Sequence, residues 1–577
     1  MQNGKRAEGV LRMSIRKKSS FIIFVLGASL ISVFRMLSIH NALVFDDSTL
    51  LRRASLNSYD ALFSFFPTSV YLDRPVRDIL IKFMYDLFGT DYALHHAALV
   101  LVHLLNVVFA FLTARRLFAM KKGLYSDETF LGACITAVVF GAWPNSQMSV
   151  QWISGNNDLM GATFALLALL FYLRSIQEDK FKGQNVFLEI LFYYLAIRSK
   201  EMFYPLPAIF LLCEFYQMLQ KKQRQRLSAG AIGGIAVMVI FFTGILYGKL
   251  HDVSVTVNPD SPYYQTFNPI TMVCSLLRYC MVYFDLTNGN FVYSFSVFGL
   301  IGLIVTLTGL AWAVVCVFKK HYELLFGYVA IGFSIAAVLP MVNQVHRLYL
   351  YFPAFFIGLT VAIAITLLGM RTDRCLVALC LCCCLAGNAS GPKGFRRFWY
   401  SVGDMENRVY NQLQEIDKPV AESNVYVFLE DGTSYTPFYY GPGSIINLVF
   451  QDNTLNVSVC EMDDKVEYKK PYLVLSYTDG SVKEVERESD RTLSIEAVYP
   501  SYDENGALVL GVCSDRMSQA LQIRIDGQAV PTVVGQEFIS AEIPDQLYNT
   551  KESISITITD EYGTVSNVWT LPLNEDR

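Results

Sequence analysis

Long apolar runs, separated by short basic or mixed segments, fill the first two thirds of the chain. A helix needs about 20 apolar residues to cross a bilayer, and eleven segments approach that length. They start near residues 20, 94, 129, 157, 187, 203, 228, 296, 322, 350 and 374, and those near 187 and 374 are short. A further segment, Phe267–Leu286, carries Arg278 and Asp285 and predicts an interfacial helix. The pattern predicts a polytopic α-helical membrane protein of about 11 transmembrane helices.

After residue 390 the long apolar runs give way to short ones. FRRFWYSVGDMENRVYNQLQEI has the spacing of an amphipathic helix. NVYVFLEDG, SIINLVF and YLVLSYTDGSVKEVE alternate like strands, the last with a hairpin at Thr-Asp-Gly-Ser. From about residue 492 further short runs recur, which is typical of a small β-sandwich. We therefore predict three domains: a transmembrane domain at 1–390, a linker helix with a small α/β module at 391–488, and an Ig-like β-sandwich at 489–577.

The composition is typical of a membrane protein, and the positions of the basic residues predict which loops lie on the cytoplasmic side. Only 17% of the residues are charged, against about 25% in soluble proteins, and the net charge of −4 indicates no nucleic-acid partner. Basic residues concentrate in every second connection, for example RRLFAMKKG, KKQRQR and RTDR, which places the N-terminus in the cytoplasm. An odd number of spans puts the C-terminal β-rich region outside. Cys460 and Cys513 lie in that region, and the sequence leaves open whether they pair.

The outer loops carry a recurring set of acidic and basic side chains. Asp46 and Asp47 follow the first apolar run, and Arg74 lies further along the same loop. The other members of the set are Lys200, Glu201, His346 and Arg347. Each could be an ordinary loop charge, but cations from three outer loops suit a lipid phosphate or pyrophosphate ligand.

The second apolar segment places His96, His103 and Asn106 on one helical face. Polar groups on one face of a membrane helix usually point into the bundle or into a water-filled cavity. We interpret His103 and Asn106 as residues that hydrogen-bond between helices, whereas His96, nearer the outer end, could reach a site.

The loop AWPNSQMSVQWISGNNDLMG leads into the fourth predicted span. Asn157 is predicted to cap the helix that follows. Trp152, Asn156 and Asp158 combine an aromatic ring with flanking polar groups, a set that is typical of sugar recognition.

The order of these elements resembles the GT-C superfamily of lipid-phosphosugar-dependent glycosyltransferases. Within it, the chain is most similar to the transmembrane O-mannosyltransferases with tetratricopeptide repeats and to their bacterial relatives. The matching elements are Asp46-Asp47, Arg74-Pro75-Val76, His96 with His103 and Asn106, Trp152-Ile153-Ser154-Gly155 through Asp158-Leu159, Ser199-Lys200-Glu201, and Arg347 through Pro353. Each motif is weak alone, whereas six in the same order are specific, and together they cover about residues 20–370.

The chain also departs from the resemblance. Relatives often have His-Pro-x-His-x-Glu before the Trp-Ile-Ser-Gly element, whereas Trp143–Met148 contains neither His nor Glu. If those residues bind metal or acceptor in relatives, this chain lacks the arrangement or takes another substrate. Tetratricopeptide repeats are absent from the sequence, and nothing identifies mannose.

The resemblance implies roles for the outer-loop residues. Asp46 is the expected base, and Asp47 is a second candidate or the residue that orients it. Arg74, Lys200 and Arg347 are the candidates for the donor phosphate. The candidates for sugar or acceptor binding are His96, Trp152, Asn156, Asp158, Glu201 and His346. We find no P-loop or dinucleotide fingerprint, and no cofactor is expected. A divalent metal shared by Asp46, Asp47 and His96 is an alternative that we do not favour.

These observations predict a hexosyltransferase-class glycosyltransferase of a bacterial plasma membrane. It would move a sugar from a polyprenyl-phosphate donor to an extracytoplasmic surface glycan, cell-wall polymer or protein by inverting-type chemistry. The alternatives are a transporter or flippase for a lipid-linked glycan, a surface-polysaccharide polymerase or ligase, and an assembly scaffold. A transporter should place ionisable residues near the membrane centre, whereas the outer loops hold most of them here.

Overall fold

The computed structural model describes residues 13, 15–36, 45–66, 74–122, 124–146, 148–178, 182–221, 227–251, 259, 264–286, 295–386, 395–430, 433, 436–439, 443–462, 464, 466, 468–478, 480–488, 493–502, 507–514, 521–535, 538–544, 551–560 and 564–573. By contacts the chain divides into two units. The first contains Met1–Asn411 with Pro437–Leu448, and the second contains Gln412–Thr436 with Val449–Arg577. The three-domain division expected from the sequence stays a prediction.

Helices make up the first unit. They are α1 (Ile15–Met36), α2 (Asp47–Leu56), α3 (Tyr59–Leu62), α4 (Pro75–Phe88), α5 (Tyr92–Lys122), α6 (Asp127–Ala142), α7 (Met148–Gln151), α8 (Asn156–Gln177), α9 (Gly183–Ser199), α10 (Leu206–Lys221), α11 (Ala229–His251), α12 (Pro269–Phe284), α13 (Val297–Phe318), α14 (Glu323–Ile335), α15 (Pro353–Leu367), α16 (Thr372–Ala386), α17 (Phe395–Glu415) and α18 (Ser444–Phe450). Short 3₁₀ turns lie at Pro144–Ser146, Ile153–Gly155, Glu201–Phe203, Ala336–Val338, Arg347–Leu350 and Pro437–Tyr439.

Each of the eleven predicted apolar segments coincides with one of these helices. Within the described ranges, four helices are long and apolar enough to cross a membrane by length and composition: Tyr92–Lys121, Ile153–Gln177, Glu201–Gln220 and Val297–Phe318. The apolar helices Ala229–Thr243, Pro269–Phe284, Glu323–Val338 and Pro353–Leu367 are shorter. A mostly helical region with membrane-type helices is therefore confirmed, and the count of eleven spans stays a prediction.

Local sequence determines where several helices begin. The Ser126 hydroxyl accepts a hydrogen bond from the Thr129 amide and opens α6. The Asn268 side chain does the same for α12 through the Ile270 amide, and Pro269 follows at the first helical position. These side chains satisfy amide donors that the first helical turn leaves unpaired. The expected cap at Asn157 is wrong, because α8 already begins at Asn156.

Small residues bring the helices of the first unit close together. A Cβ atom on Gly141 of α6 would lie 2.4 Å from Val107 of α5 and 2.5 Å from the hydroxyl of Ser29 of α1. One on Gly358 of α15 would lie 2.6 Å from the Thr136 carbonyl oxygen of α6. Small residues are what allow helix backbones to pack closely within a membrane. Helix α6 is accordingly buried over almost its whole length.

The second unit is rich in strands. They are β1 (Asn424–Leu429), β2 (Asn456–Glu461), β3 (Tyr472–Thr478), β4 (Ser481–Glu488), β5 (Ile495–Tyr502), β6 (Leu508–Ser514), β7 (Gln522–Ile525), β8 (Gln528–Ala529), β9 (Val533–Val534), β10 (Ile539–Glu542), β11 (Ser553–Thr559) and β12 (Trp569–Pro572). This confirms the predicted C-terminal β-rich region. SIINLVF is the helix α18 rather than a strand, because so short an apolar run does not distinguish the two structures.

Three sheets form from these strands. The first has the order β2-β1-β3-β4, with β1 parallel to both of its neighbours. Its β3–β4 hairpin turns where Thr478 pairs with Ser481, and Gly480 there has a φ of +87°. The other two sheets, β5-β6-β10-β9 and β12-β11-β7-β8, share one hydrophobic core that includes Leu510 and Ile556, as in a β-sandwich. Both Cys460 and Cys513 are free thiols.

Candidate active site

The two adjacent carboxylates of the loop between α1 and α4, which is predicted to lie outside, have different surroundings. Asp47 is fully buried at the start of α2, and its Oδ1 accepts hydrogen bonds from the amide (2.7 Å) and the hydroxyl (2.6 Å) of Ser154. The Oδ1 of Asp46 is also buried, but it accepts no hydrogen bond from any residue in the described part of the chain. Asp47 therefore ties the loop to the turn Ile153–Gly155, while Asp46 retains an oxygen that a ligand could use.

The groups around Asp46 shift the pKa of its carboxyl group in opposite directions. Burial raises the pKa of its carboxyl group, while a hydrogen bond from Ser154 and the charges of Arg77 and Arg74 act to lower it, and the net result is a raised pKa. A carboxylate with a raised pKa is a stronger base once it has lost its proton. Its surroundings also place two guanidinium groups near any negative charge that forms there.

Arg74 lies at the start of α4 and forms a two-point contact with Glu201. Its Nε and one terminal nitrogen donate to the two oxygens of the Glu201 carboxylate, at 3.2 and 2.9 Å. Their side chains are 19% and 33% exposed, so the pair borders open space. This fork geometry fixes the orientation of the guanidinium.

Lys200 forms a second, more deeply buried pair. Its Nζ lies 2.5 Å from Oδ2 of Asp158, and the two side chains are only 5% and 1% exposed. The same ammonium lies 4.6 Å from the centre of the Tyr349 ring. Burial lowers the pKa of Lys200, the charge of Arg74 lowers it further, and Asp158 acts in the opposite direction. The other oxygen of Asp158 is buried and has no hydrogen-bond partner among the described residues.

His346 and Arg347 open the 3₁₀ turn Arg347–Leu350. The Nδ1 of His346 accepts a hydrogen bond from the Leu348 amide at 3.3 Å. The Arg347 guanidinium donates to the main-chain oxygen of Asp285, also at 3.3 Å. Burial, together with the charges of Lys200 and Arg347, lowers the pKa of His346 to about 3. His346 is therefore neutral at physiological pH, and Arg347 is held at the end of α12.

The remaining residues predicted to bind sugar or acceptor are Trp152, Asn156 and His96. The Trp152 ring meets Phe45 edge-on, with ring centres 5.7 Å apart. Asn156 is fully buried at the start of α8, and neither atom of its amide group has a hydrogen-bond partner within the described ranges. His96 of α5 is 1% exposed.

The sequence analysis missed two polar residues of this region, Ser149 and Gln151. Both are buried in the short helix α7, and the Ser149 hydroxyl and the whole Gln151 amide group lack partners among the described residues. Buried polar groups are nearly always hydrogen-bonded, so their lack of partners here marks groups that a polar ligand or water could satisfy. Their position directly before Trp152 was the signal available in the sequence.

His103 and Asn106 have the structural role that we expected. The two ring nitrogens of His103 hydrogen-bond the Tyr351 hydroxyl (2.8 Å) and the Gly141 carbonyl (3.0 Å). Asn106 donates to the Leu159 carbonyl at 3.0 Å and to Tyr351 at 3.2 Å. These contacts join α5 to α6, α8 and the turn before α15, which confirms helix–helix hydrogen bonding.

The segment that departs from the family pattern also has a structural role. The Asn145 side chain donates to the main-chain oxygens of Val282 and Asp285, each at 2.8 Å, and the Trp143 indole donates to that of Tyr283 at 2.7 Å. Carbonyl groups at a helix end have no partner within the helix, and this loop satisfies those of α12. Among the described residues, no three His, Cys, Asp or Glu side chains are placed to hold a metal ion together.

The structure thus brings together groups from distant turns. Arg74 acts electrostatically on Asp46 and on Lys200, and Lys200 acts on His346. Direct contacts add Glu201 to Arg74 and Asp158 to Lys200. Side chains from the loop between α1 and α4, the start of α8, the turn after α9 and the turn before α15 therefore form one charged cluster. We call it the outer cluster, after the loops that are predicted to lie outside: Asp46, Arg74, Asp158, Lys200, Glu201, His346 and Arg347.

Comparisons with known proteins add one finding. No family model matches the chain, and no curated protein matches it. Among solved structures, the chain is similar to ArnT from Cupriavidus metallidurans bound to undecaprenyl phosphate, with 14% sequence identity and a TM-score of 0.42. The match covers 77% of this chain and 87% of that one. At this identity and score the similarity assigns neither a substrate nor a residue role to this chain.

Proposed function

We propose that the protein is a membrane glycosyltransferase that moves a sugar from a polyprenyl-phosphate donor to an extracytoplasmic acceptor. The observation that carries the proposal is the outer cluster itself. It holds a carboxylate with an uncommitted buried oxygen, Asp46, in the electrostatic range of Arg74. Transfer from a lipid phosphate needs both kinds of group, a base for the acceptor hydroxyl and cations for the departing phosphate.

In the proposed reaction Asp46 removes the proton of the acceptor hydroxyl. The acceptor oxygen attacks the anomeric carbon of the sugar while the bond between that carbon and the phosphate oxygen breaks. Polyprenyl phosphate leaves with the bonding electrons, so a single displacement inverts the anomeric configuration. Asp47, held by Ser154 through two hydrogen bonds, positions the loop rather than exchanging a proton.

Arg74, Lys200 and Arg347 are the proposed phosphate-binding residues. Arg74 and Lys200 are paired with the Glu201 and Asp158 carboxylates, so each cation is held in one orientation before any ligand arrives. A phosphate that joins the cluster adds negative charge where buried cations attract it most strongly, because water screens them little. Trp152, Asn156, His96 and His346 are the proposed sugar or acceptor contacts.

An apolar crevice in the first unit supports a lipid-linked donor. It has a volume of about 470 Å³ and lies between α12, α13, α14 and α15. Leu350 and Pro353, which closely follow Arg347 in sequence, line it, and so does Tyr279, whose hydroxyl donates to the Gln344 carbonyl at 3.4 Å. A polyprenyl chain that enters this crevice from the bilayer would exchange contacts with lipid for van der Waals contacts with the apolar lining, and it would bring its phosphate to the Arg347 end.

Two neighbouring substitutions test the proposal. When an acceptor is supplied, the purified protein should release polyprenyl phosphate from a polyprenyl-phosphate sugar, and Asp46→Asn should keep donor binding while turnover falls by about 10²–10⁴-fold. Asp47→Asn makes the same chemical change one residue away and should mainly lower thermal stability, because it disturbs the contacts with Ser154. Undiminished turnover in Asp46→Asn would refute the role of Asp46. A wild-type protein that turns over no such donor when surface-glycan, cell-wall-polymer and protein acceptors are supplied would refute the function.

One observation favours the transporter alternative. Glu189 of α9 is fully buried, and neither oxygen of its carboxyl group has a hydrogen-bond partner among the described residues. A buried ionisable residue in a membrane helix is a frequent mark of a translocation pathway. Vesicles reconstituted with the protein and a labelled polyprenyl-phosphate sugar separate the two functions. A transporter moves the donor between leaflets without consuming it, whereas a transferase consumes it only when acceptor is present.

A further inference from the structure

The residue that precedes the proposed base has an unusual backbone conformation. Phe45 has a φ of +54°, in the left-handed region. Residues with a Cβ rarely adopt this region, because Cβ crowds the backbone, and such strain persists only where the surroundings enforce it. The backbone at Phe45 also determines the direction in which Asp46 leaves the turn. Something in the fold must therefore hold Phe45 in place.

Glu406 of α17 provides such a contact. The amide of Phe45 donates a hydrogen bond to Oε1 of Glu406 at 3.3 Å, across 361 positions of sequence. Glu406 is 2% exposed, so water competes little for this bond. Further along α17, the Tyr410 hydroxyl makes a separate contact by donating to Thr90 at 3.2 Å. Both contacts lie within the first unit of the structure.

The Phe45 side chain gives the same turn a second attachment. Its ring meets Trp152 edge-on at 5.7 Å, and two residues further along the turn Asp47 accepts the two hydrogen bonds of Ser154. The turn is thus held on one side by the segment 152–154 and on the other by α17. Asp46 lies between these attachments.

We propose that Glu406 is a positioning residue for the transfer reaction: by accepting the Phe45 amide it holds the strained turn that aims the Asp46 carboxylate. This inference rests on the proposed function and extends it to a helix outside the six motifs. Without the bond, the turn loses its hold on the Phe45 amide and relaxes toward an ordinary backbone conformation. A shift of about 1 Å in a reacting group can cost about 10²-fold in rate.

Three variants on α17 test the proposal through turnover. Glu406→Ala should lower kcat at least about tenfold while the KM for the polyprenyl-phosphate sugar stays within about twofold, because the phosphate-binding cations are untouched. Glu406→Gln should restore most of kcat, since an amide oxygen can accept the same hydrogen bond. Tyr410→Phe removes the neighbouring attachment of α17 and should leave kcat close to that of the wild type.

Amide hydrogen exchange tests the contact independently of catalysis. Glu406→Ala should speed exchange in a peptide that covers Phe45–Leu56, and Glu406→Gln and Tyr410→Phe should not. Glycine adopts positive φ readily, so in a Phe45→Gly variant the turn does not need the hydrogen bond to Glu406 to keep its conformation. Adding Glu406→Ala to Phe45→Gly should therefore lower kcat less than Glu406→Ala lowers it in the wild-type protein. A loss that is undiminished in that background would overturn the inference.

The outcomes distinguish this inference from the proposed function. If the wild-type protein turns over donor and Glu406→Ala leaves both kcat and exchange unchanged, the inference is wrong and the function stands. If Glu406→Gln is as impaired as Glu406→Ala, the hydrogen bond is not the cause and the inference is also wrong. If the wild-type protein transfers no sugar, the function falls, and the role of Glu406 in catalysis falls with it.

Discussion

The buried pair of Lys200 and Asp158 allows a prediction about both stability and function. Their charged atoms are 2.5 Å apart, and the side chains are 5% and 1% exposed. Asp158→Asn removes the negative charge and leaves an ammonium group buried beside the Arg74 guanidinium, which already acts on it. Lys200→Met instead leaves the carboxylate buried without its cation. The double variant removes both charges at nearly constant volume.

The structure indicates the size of each effect. Breaking a buried ion pair by removing one partner costs about 3–5 kcal/mol. Lys200→Met also loses the contact with the Tyr349 ring, 4.6 Å from Nζ, which is worth about 0.5–2 kcal/mol. Each single variant should therefore lower Tm by about 3–6 °C, because a unit of this size has a large unfolding entropy. The double variant should be more stable than the sum of the two losses predicts, because no unpaired charge remains.

Thermal unfolding of the three variants in one detergent measures these effects, and donor binding is measured in parallel. The stability of Asp158→Asn should also rise with pH. The buried Lys200 has a pKa below its ordinary value, so the unfolded state binds more protons, and raising the pH favours the folded state. Losses that simply add in the double variant would show that the two side chains do not form a coupled pair. Donor binding should be weakened in the double variant even though it folds.

Two further predictions concern the other ionisable residues of the outer cluster. His346 has a pKa near 3, below its ordinary 6.5, so stability should fall as the pH drops from about 6.5 toward 3. His346→Gln should flatten this slope in thermal unfolding, and an unchanged slope would contradict the reasoning. Arg74→Lys cannot reproduce the two-point contact with Glu201 and should cost about 1–2 kcal/mol and raise the donor KM. Lys82→Arg at an exposed pair is its control, and an unchanged KM in Arg74→Lys would count against the phosphate role of Arg74.

Much of the helical architecture follows from the sequence alone. A long apolar segment with helical periodicity predicts a helix from its own residues, and all eleven apolar segments coincide with helices. The face shared by His103 and Asn106 is likewise a local property of helical periodicity. The β3–β4 hairpin depends on Gly480, which adopts the φ of +87° that its turn requires. The prediction of a strand at SIINLVF is wrong, because an apolar run this short shows neither helical nor strand periodicity clearly.

The site needed the tertiary structure, because its properties depend on distances between segments far apart in sequence. The sequence could place Asp46 and Asp47 in the same loop. Only the structure shows that Asp47 accepts both the amide and the hydroxyl of Ser154, while Oδ1 of Asp46 has no hydrogen-bond partner among the described residues. The sequence predicts that Lys200 is a cation. Burial lowers its pKa and the neighbouring Asp158 acts to raise it, and both effects depend on the tertiary structure. Nothing local to Glu406 indicates that it meets Phe45. Helical periodicity depends on residues that are close in sequence and can be read from it. The electrostatic partner of a side chain depends on how the helices pack, which only the tertiary structure shows.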